Sequence, residues 1–224
     1  MGFPMRFNLS SPIGRALAWL DMHLVDHGFI RAMYNNFYDL TGGLYRCSQP
    51  SPSQVREYHS QYGIKSIINL RGENPFGSYY LEEEACRELG ISLITYRFYS
   101  RQPPKPSEIH GFKALLSTLE YPAIMHCKSG ADRAGIASAL YRILHLGEDV
   151  KSALSELDWR YGHFRKSDAG VLDFFFESYL ARNARSPIAF LEWVDTEYDW
   201  QEMHRRYEKS GWSSLVADTI LRRE

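Results

Sequence analysis

The stretch from Ile124 to Gly135, IMHCKSGADRAG, gathers the residue types best suited to chemistry in this chain. Cys127 offers a thiolate nucleophile, and Arg133, six positions on, offers a planar fork that can hold two oxygens of one oxyanion. Between them run Lys128, Ser129, Gly130, Ala131 and Asp132, with Gly130 freeing the backbone to curl. A loop that curls into a helix N-terminus aims its N–H groups at one point, and the helix dipole reinforces the anion site so formed. The same field favours thiolate over thiol; cysteines in such settings titrate at roughly 3.5–7.5 rather than about 8.5. Phosphoryl transfer asks mainly for positioning and charge stabilisation, which a nest of N–H groups and one arginine supplies without metal or cofactor.

Spacing alone is weak evidence, since a cysteine six residues before an arginine arises readily by chance. The order of the surrounding residues is what carries weight. His126 precedes the cysteine, Gly135 follows the arginine, and Ala123-Ile124-Met125 reads as a short buried strand that feeds the loop. The bland alternative, a core thiol and an unrelated surface arginine, leaves that ordering unexplained.

The elements that must position this loop are legible upstream. Phe37 to Ser48, broken by Gly42-Gly43, reads as a hairpin of short strands. SPSQVREYHSQYG reads as a helix, with Ser51 or Ser53 as N-cap, Pro52 in the first turn and Gly63 at the close. KSIINL, residues 65–70, is a buried strand; 79–89 has the charge density of an exposed helix; 91–98 alternates like another strand; 106–119 is helical. After the loop the pattern is helical over 134–146, 150–159, 169–181 and within 188–223. Strands alternating with helices imply an α/β fold whose central, mostly parallel sheet is flanked by helices. Ligands of such sheets bind beyond the carboxyl ends of the strands, where the 127–133 loop lies.

HCKSGADRAG is similar to the His-Cys-x5-Arg signature of the protein tyrosine and dual-specificity phosphatase superfamily, closest to its compact atypical members and its lipid- and inositide-directed branches. GLYRCSQPSP (43–52) and GIKSIINLRG (63–72) resemble the opening hairpin and second strand of compact dual-specificity-like phosphatases. The resemblance covers roughly residues 36–180. It implies a phosphatase domain, whose boundary the Ser186-Pro187 junction sets at 36–185; by their residue pattern 1–35 reads as a helical extension and 186–224 as another packed on the domain. It also implies a two-step reaction. The Cys127 thiolate attacks phosphorus, Arg133 and the amides of residues 128–133 hold the equatorial oxygens, and water releases the cysteinyl-phosphate. His126, Ala134 and Gly135 take supporting places in the loop.

Two departures from that pattern matter. Many members carry Ser or Thr after the arginine, where this chain has Ala134; Ser129 is a loop alternative and Ser138 lies one helical turn on. The usual upstream aspartic acid is missing, because 91–121 contains no Asp. Asp132 is therefore the foremost general-acid candidate, as in the myotubularin-type loops it resembles; Glu108, Glu73 and no acid at all stay open. Lys128, Arg101 and Arg71 are candidate cations at the mouth, although a surface or structural role suits Arg71 and Arg101 better, and Arg101 is the better candidate of the two. Residues 160–163 are candidates for the pocket wall, and Arg46 and Gln49 for buried hydrogen bonding.

A formal net charge of −1 gives no basic field for nucleic acid, and 44% hydrophobic residues suffice for a sizeable core. Three scattered cysteines form neither a metal pattern nor a disulfide framework and suit a reducing compartment. The N-terminal residues lack a signal-type apolar run and no membrane span is visible, so the expectation is cytoplasmic. The segment 12–34 places Ile13, Leu17, Leu20, Leu24 and Val25 at helical spacing beside Arg15, Asp21 and Asp26. It reads as a helix packed on the body, broken at Gly28, with membrane-surface contact the less favoured reading. The expected partner is a phosphorylated substrate, a phosphoprotein ahead of a lipid, inositol or sugar phosphate. A phosphate-binding protein without turnover is the alternative from another class.

Overall fold

A computed structural model describes residues 7–208 of the chain. Among them, a sheet of five strands runs in the order β1-β2-β5-β3-β4: β1 Tyr38–Asp39, β2 Leu44–Ser48, β3 Ser66–Asn69, β4 Ser92–Thr95 and β5 Ala123–Cys127. β1 is antiparallel to β2 and every other pairing is parallel, giving the mostly parallel sheet expected of the alternating pattern. β5 lies between β2 and β3, with Cys47 opposite His126 and Ser48 opposite Cys127. Its five residues are all buried, which matches the unbroken apolar run on either side of His126.

The helices include α1 Pro12–Leu20, α2 Gly28–Met33, α3 Pro52–Tyr62, α4 Gly77–Leu89, α5 Pro106–Thr118, α6 Asp132–Leu144, α7 Val150–Ala153, α8 Val171–Asn183 and α9 Phe190–Thr196, and residues 200–208 are helical as well. α3 begins in a capping box in which Ser51 and Gln54 exchange hydrogen bonds, and it ends at left-handed Gly63. The 150–159 stretch is not one helix. α7 gives way to 3₁₀ turns at Leu154–Glu156 and Trp159–Tyr161, the latter started by Asp158 accepting the Arg160 N–H.

The described chain divides into two compact units. The first comprises the residues up to Arg97 together with Thr118–Ala134, and it holds the sheet, α1 to α4 and the whole signature loop. Cys47, Val55, Tyr58, Ile64, Ile67, Ala85, Cys86, Ile91 and Ile124 make its main core, joining α3 and α4 to the sheet. The second unit, Phe98–Ser117 with Gly135 onward, is built on α8, whose Phe175 and Tyr179 pack with Phe190 and Trp193 of α9. In the same unit Tyr198 donates to the Pro104 carbonyl and Lys105 lies over the Trp200 ring. Trp212 and the rest of the tail fall outside the described residues.

Two segments depart from their expected reading. α4 is not simply an exposed helix, because Ser78, Leu81, Glu82, Ala85 and Cys86 are buried on one side. In 12–34 the aliphatic stripe lies outward: Ile13, Leu17, Leu20, Leu24 and Val25 are each more than half exposed. The inward side is Ala18 and Met22, packed with Phe7 and Leu81, together with the carboxylates of Asp21 and Asp26. Hydrogen-bond partners in the body make that polar side the buried one. Asp21 accepts the Gly77 N–H at 2.7 Å, and α1 crosses so close that a Cβ on Gly77 would lie 2.1 Å from the Ala18 carbonyl oxygen. The helix continues past Leu20 as a π-helical turn, Asp21–Val25, and breaks at Asp26 and left-handed His27; Gly28 opens α2 instead of ending α1.

Gly77→Ala should therefore push α1 off α4, at a cost of about 1–3 kcal/mol. Denaturant unfolding reads the loss, and limited proteolysis should show faster cleavage within 12–34; unchanged values for both would contradict the close crossing.

Candidate phosphate-binding loop and active site

The loop leaves β5 at Cys127 and enters α6 at Asp132. Cys127 is buried, at the carboxyl end of a central parallel strand, and Arg133 is half-buried in the first turn of α6. What fixes the loop's shape is the destination of its carbonyl groups. The Lys128 carbonyl accepts the Gln49 N–H at 3.3 Å, and the Ser129 carbonyl accepts Asn36 Nδ2 at 3.0 Å. Arg46, wholly buried, donates to the carbonyls of Gly130 at 2.7 Å and Ala131 at 3.2 Å. Four successive carbonyls are thus tied to the scaffold. In a planar trans peptide the N–H points away from the C=O, so the N–H groups of Ser129, Gly130, Ala131 and Asp132 turn to the other side. That side is a nest of donors ahead of a helix N-terminus, with Arg133 beside it.

Gly130 makes the curl possible. Its φ is +74°, and a Cβ there would come within 2.8 Å of the Cys47 and Ser48 backbone and of Asn36 Nδ2. The loop therefore lies directly against the end of β2.

Residues 37–169 match the family described as "DSP-PTPase phosphatase fused to NAD+ Kinase". The chain belongs to that family. It is 43% identical over 133 residues to the dual specificity protein phosphatase TpbA of Pseudomonas aeruginosa, an alignment covering 59% of this chain and 57% of the relative. The chain thus spans about half the length of the curated relatives it matches. The crystal structure of P. aeruginosa TpbA superposes with a TM-score of 0.51 at 21% identity, covering 64% of this chain and 90% of that one. The catalytic domain of the PP-IP phosphatase SIW14 from S. cerevisiae gives 0.51 at 22%, covering 68% and 92%. These likenesses carry the fold, a dual-specificity-like α/β architecture.

In this DSP-PTPase chain the residues beneath the loop are as organised as the loop itself. Glu82 of α4, fully buried, accepts Gln49 Nε2 at 3.0 Å and Asn69 Nδ2 at 3.1 Å on one oxygen. Its other oxygen lies 2.7 Å from His126 Nε2, without the alignment of an ideal hydrogen bond, and His126 Nδ1 is 3.4 Å from the Cys127 carbonyl. One carboxylate therefore ties the ends of β2, β3 and β5 together behind Cys127. Cys47 and Cys86 are buried free thiols whose pKa values rise, first through burial and then through the negative charge of Glu82. Both are poor nucleophiles by position.

Asp26 is the second buried carboxylate, fully enclosed and surrounded by cations. Arg71 donates to its two oxygens at 2.7 and 3.0 Å, Ser78 Oγ donates at 2.6 Å, Arg31 lies 3.3 Å away and Lys128 Nζ 3.1 Å away. Burial pushes the Asp26 carboxyl upward, but the hydrogen bond and charge of Arg71, with Ser78 and Arg31, outweigh it and bring the pKa down to about 2. Arg71 is also hydrogen-bonded to the Gln49 side-chain oxygen, so it is a buried structural cation and not a group at the mouth. Lys128 keeps a partly exposed side chain on the loop.

The remaining sequence candidates fall into distinct places. His126 to Ala134 belong to the loop, its strand and its helix start in the first unit; Gly135 and Ser138 continue α6 in the second. Glu108 accepts the Lys105 N–H at 2.9 Å and so caps the start of α5, while Glu73 is exposed in the turn after β3. Arg101 is 3.5 Å from Asp168, both exposed, and His163 is buried 2.7 Å from Asp173. Arg46 and Gln49 are buried hydrogen-bonding residues, as their position at a strand end suggests. Asp26, Asn36, Asn69, Ser78 and Glu82 carried no local signal, because each is tied to the site through at least one partner 13 or more residues away.

Asp26→Asn should destabilise the protein by roughly 3–5 kcal/mol at neutral pH, since it strands buried Arg71 and Arg31 without their counter-charge. The folded pKa lies below the ordinary value, so the carboxylate's contribution is complete above about pH 4 and fades as pH falls toward 2. Urea titrations of both proteins across that window should show their stability difference narrowing with acidity. A constant difference would remove the charge from the explanation.

Proposed function

We propose that this chain is a cysteine-dependent phosphomonoesterase working through a cysteinyl-phosphate. The observation that carries the reading is the tethering of four consecutive loop carbonyls to the scaffold, which leaves the intervening N–H groups to receive a phosphoryl group above Cys127. Cys127 Sγ attacks phosphorus in line while the amides of 129–132 and the Arg133 fork hold the equatorial oxygens. The P–O bond to the leaving group breaks as the S–P bond forms, and the leaving oxygen takes a proton. Asp132, first residue of α6 and neighbour of Arg133, is the proton donor that best fits, because Glu108 is occupied in capping α5. Water then attacks the cysteinyl-phosphate, releasing inorganic phosphate and the thiolate. Ala134 provides no hydroxyl for that second step, so it rests on the loop amides and on Asp132 acting as base. A reducing compartment such as the cytoplasm keeps the thiol active.

A phosphoprotein monoester fits the surroundings better than a polyphosphorylated ligand. Of the three cations that would serve a polyphosphate, Arg71 is enclosed with Asp26, Arg101 faces Asp168, and Lys128 shares Asp26. A P. aeruginosa TpbA variant was crystallised in complex with pTyr, whereas SIW14 is named for PP-IP, so both substrate types are assayed side by side.

Cys127→Ser should lower aryl phosphate hydrolysis by about three orders of magnitude or more while phosphate protection against thermal unfolding persists. Phosphate binding with no turnover in the native chain would make it a binding protein instead. For Asp132→Asn, the rate loss should reach roughly a hundredfold or more on alkyl phosphates and stay small on aryl phosphates with acidic leaving groups. A loss independent of leaving-group pKa would assign Asp132 to loop geometry.

A further inference from the structure

The outward side of 12–34 is the largest feature that the phosphatase chemistry leaves unused. Met33 is 89% exposed, Ile13 76% and Leu24 67%. Leu17, Leu20, Phe29 and Ile30 are each about half exposed or more. A run of large apolar side chains this long is unusual on a soluble monomer and marks a contact surface. We infer that this face is a docking surface for a phospholipid bilayer, into which α1, its π-helical turn and α2 sink side-on.

Charge selects the bilayer among possible occupants. The only carboxylates in 12–34, Asp21 and Asp26, are both buried inward, so the face itself presents no acid to phospholipid headgroups. Its exposed basic groups are Arg15 and His27, with His23 half-buried; Tyr34 is exposed at its end, and Arg15 meets Glu84 at 2.6 Å. A protein partner is held in register by a polar, charged rim around an apolar centre. Here the apolar residues run to the edge of the segment with almost nothing to set a register, which suits a fluid hydrocarbon surface. Length selects the orientation. α1 and the π turn contribute 9 and 5 residues and α2 contributes 6. At about 1.5 Å per residue neither piece approaches the roughly 30 Å of a hydrocarbon core, so both lie in the interface plane. Among the described residues no helix is long and apolar enough to cross a membrane.

The inner side of the same segment adds a consequence. Asp26 holds Lys128, and Asn36, two residues past the segment, holds the Ser129 carbonyl, so the docking segment is fastened to the signature loop from its inner side. Docking would therefore anchor that loop through its own scaffold.

Flotation of the full chain with phosphatidylcholine vesicles, with and without a minority of phosphatidylglycerol, tests the inference. The native chain should float with both and to a similar extent, since Arg15, the exposed fixed cation of the segment, is already paired with Glu84. A Leu17→Ser, Leu20→Ser, Phe29→Ser triple variant should bind at least about tenfold more weakly. Its circular dichroism should stay native, because about half of each of those side chains is already in water; a second variant, Ile13→Ser with Met33→Ser, gives the same reading from the most exposed positions, where melting too should be unchanged. Native protein remaining at the bottom of the gradient with both vesicle types would overturn the proposal. So would equal flotation of the variants, or a lipid-free dimer in light scattering that the same substitutions split, which would make the occupant a second copy of the chain.

Discussion

The direction in which four peptide groups face decides whether the 127–133 loop can hold an anion, and buried side chains outside the loop set that direction. A backbone carbonyl and the following N–H are fixed on opposite sides of one plane, so anchoring the carbonyls of 128–131 commits the amides of 129–132. Arg46 supplies two of the anchors from the middle of β2 with no exposure to water, Gln49 supplies one from its backbone, and Asn36 supplies the last. The proposed anion site, built this way, is shaped before any ligand arrives. The reorganisation that water would have to undergo around a phosphoryl group has been done during folding.

Such a scaffold requires several charged groups in a dry interior, and the structure meets the cost by pairing. Glu82 sits behind Cys127 with Gln49, Asn69 and His126 around it; Asp26 sits beneath the loop with Arg31, Arg71 and Lys128. Each carboxylate is shared between strands, helices and loop, so neither can relax without moving the others. Replacing these groups by apolar ones of equal size would not obviously weaken the fold. Their retention fits a demand for geometry. A phosphate cradle displaced by an ångström loses most of its advantage.

Much of this was legible in the chain. The strand–Cys–loop–Arg–helix order located the loop, Gly130 predicted its tight curl, Ser51 with Gln54 and Gly63 bounded α3, and Gly42-Gly43 turned the first hairpin. The carboxylates beneath the loop were not legible. Glu82 stands in a run of three glutamates, and only its distance from water distinguishes it from Glu83 and Glu84. Asp26 looked like one residue of a polar helix face. Periodicity reports that a helix has two faces and gives their phase, but the inward face is chosen by what waits on the body. Here it was Gly77 with a free N–H and Arg71 with a buried guanidinium, both far along the chain.

That reversal explains why one short segment can hold the loop from one side and offer hydrocarbon on the other. Turning a helix over so that its aspartates go inward leaves its leucines in water, a loss of about 25 cal/mol for each Å² of apolar surface left uncovered. The ion pairs and hydrogen bonds of Asp21 and Asp26 offset part of that loss within the chain. They do not remove the reason for the apolar face to seek cover. Holding the aspartates inside is what keeps Lys128 and Arg71 in place, so the exposure of Leu17, Leu20 and Met33 follows from the same constraint that shapes the cradle.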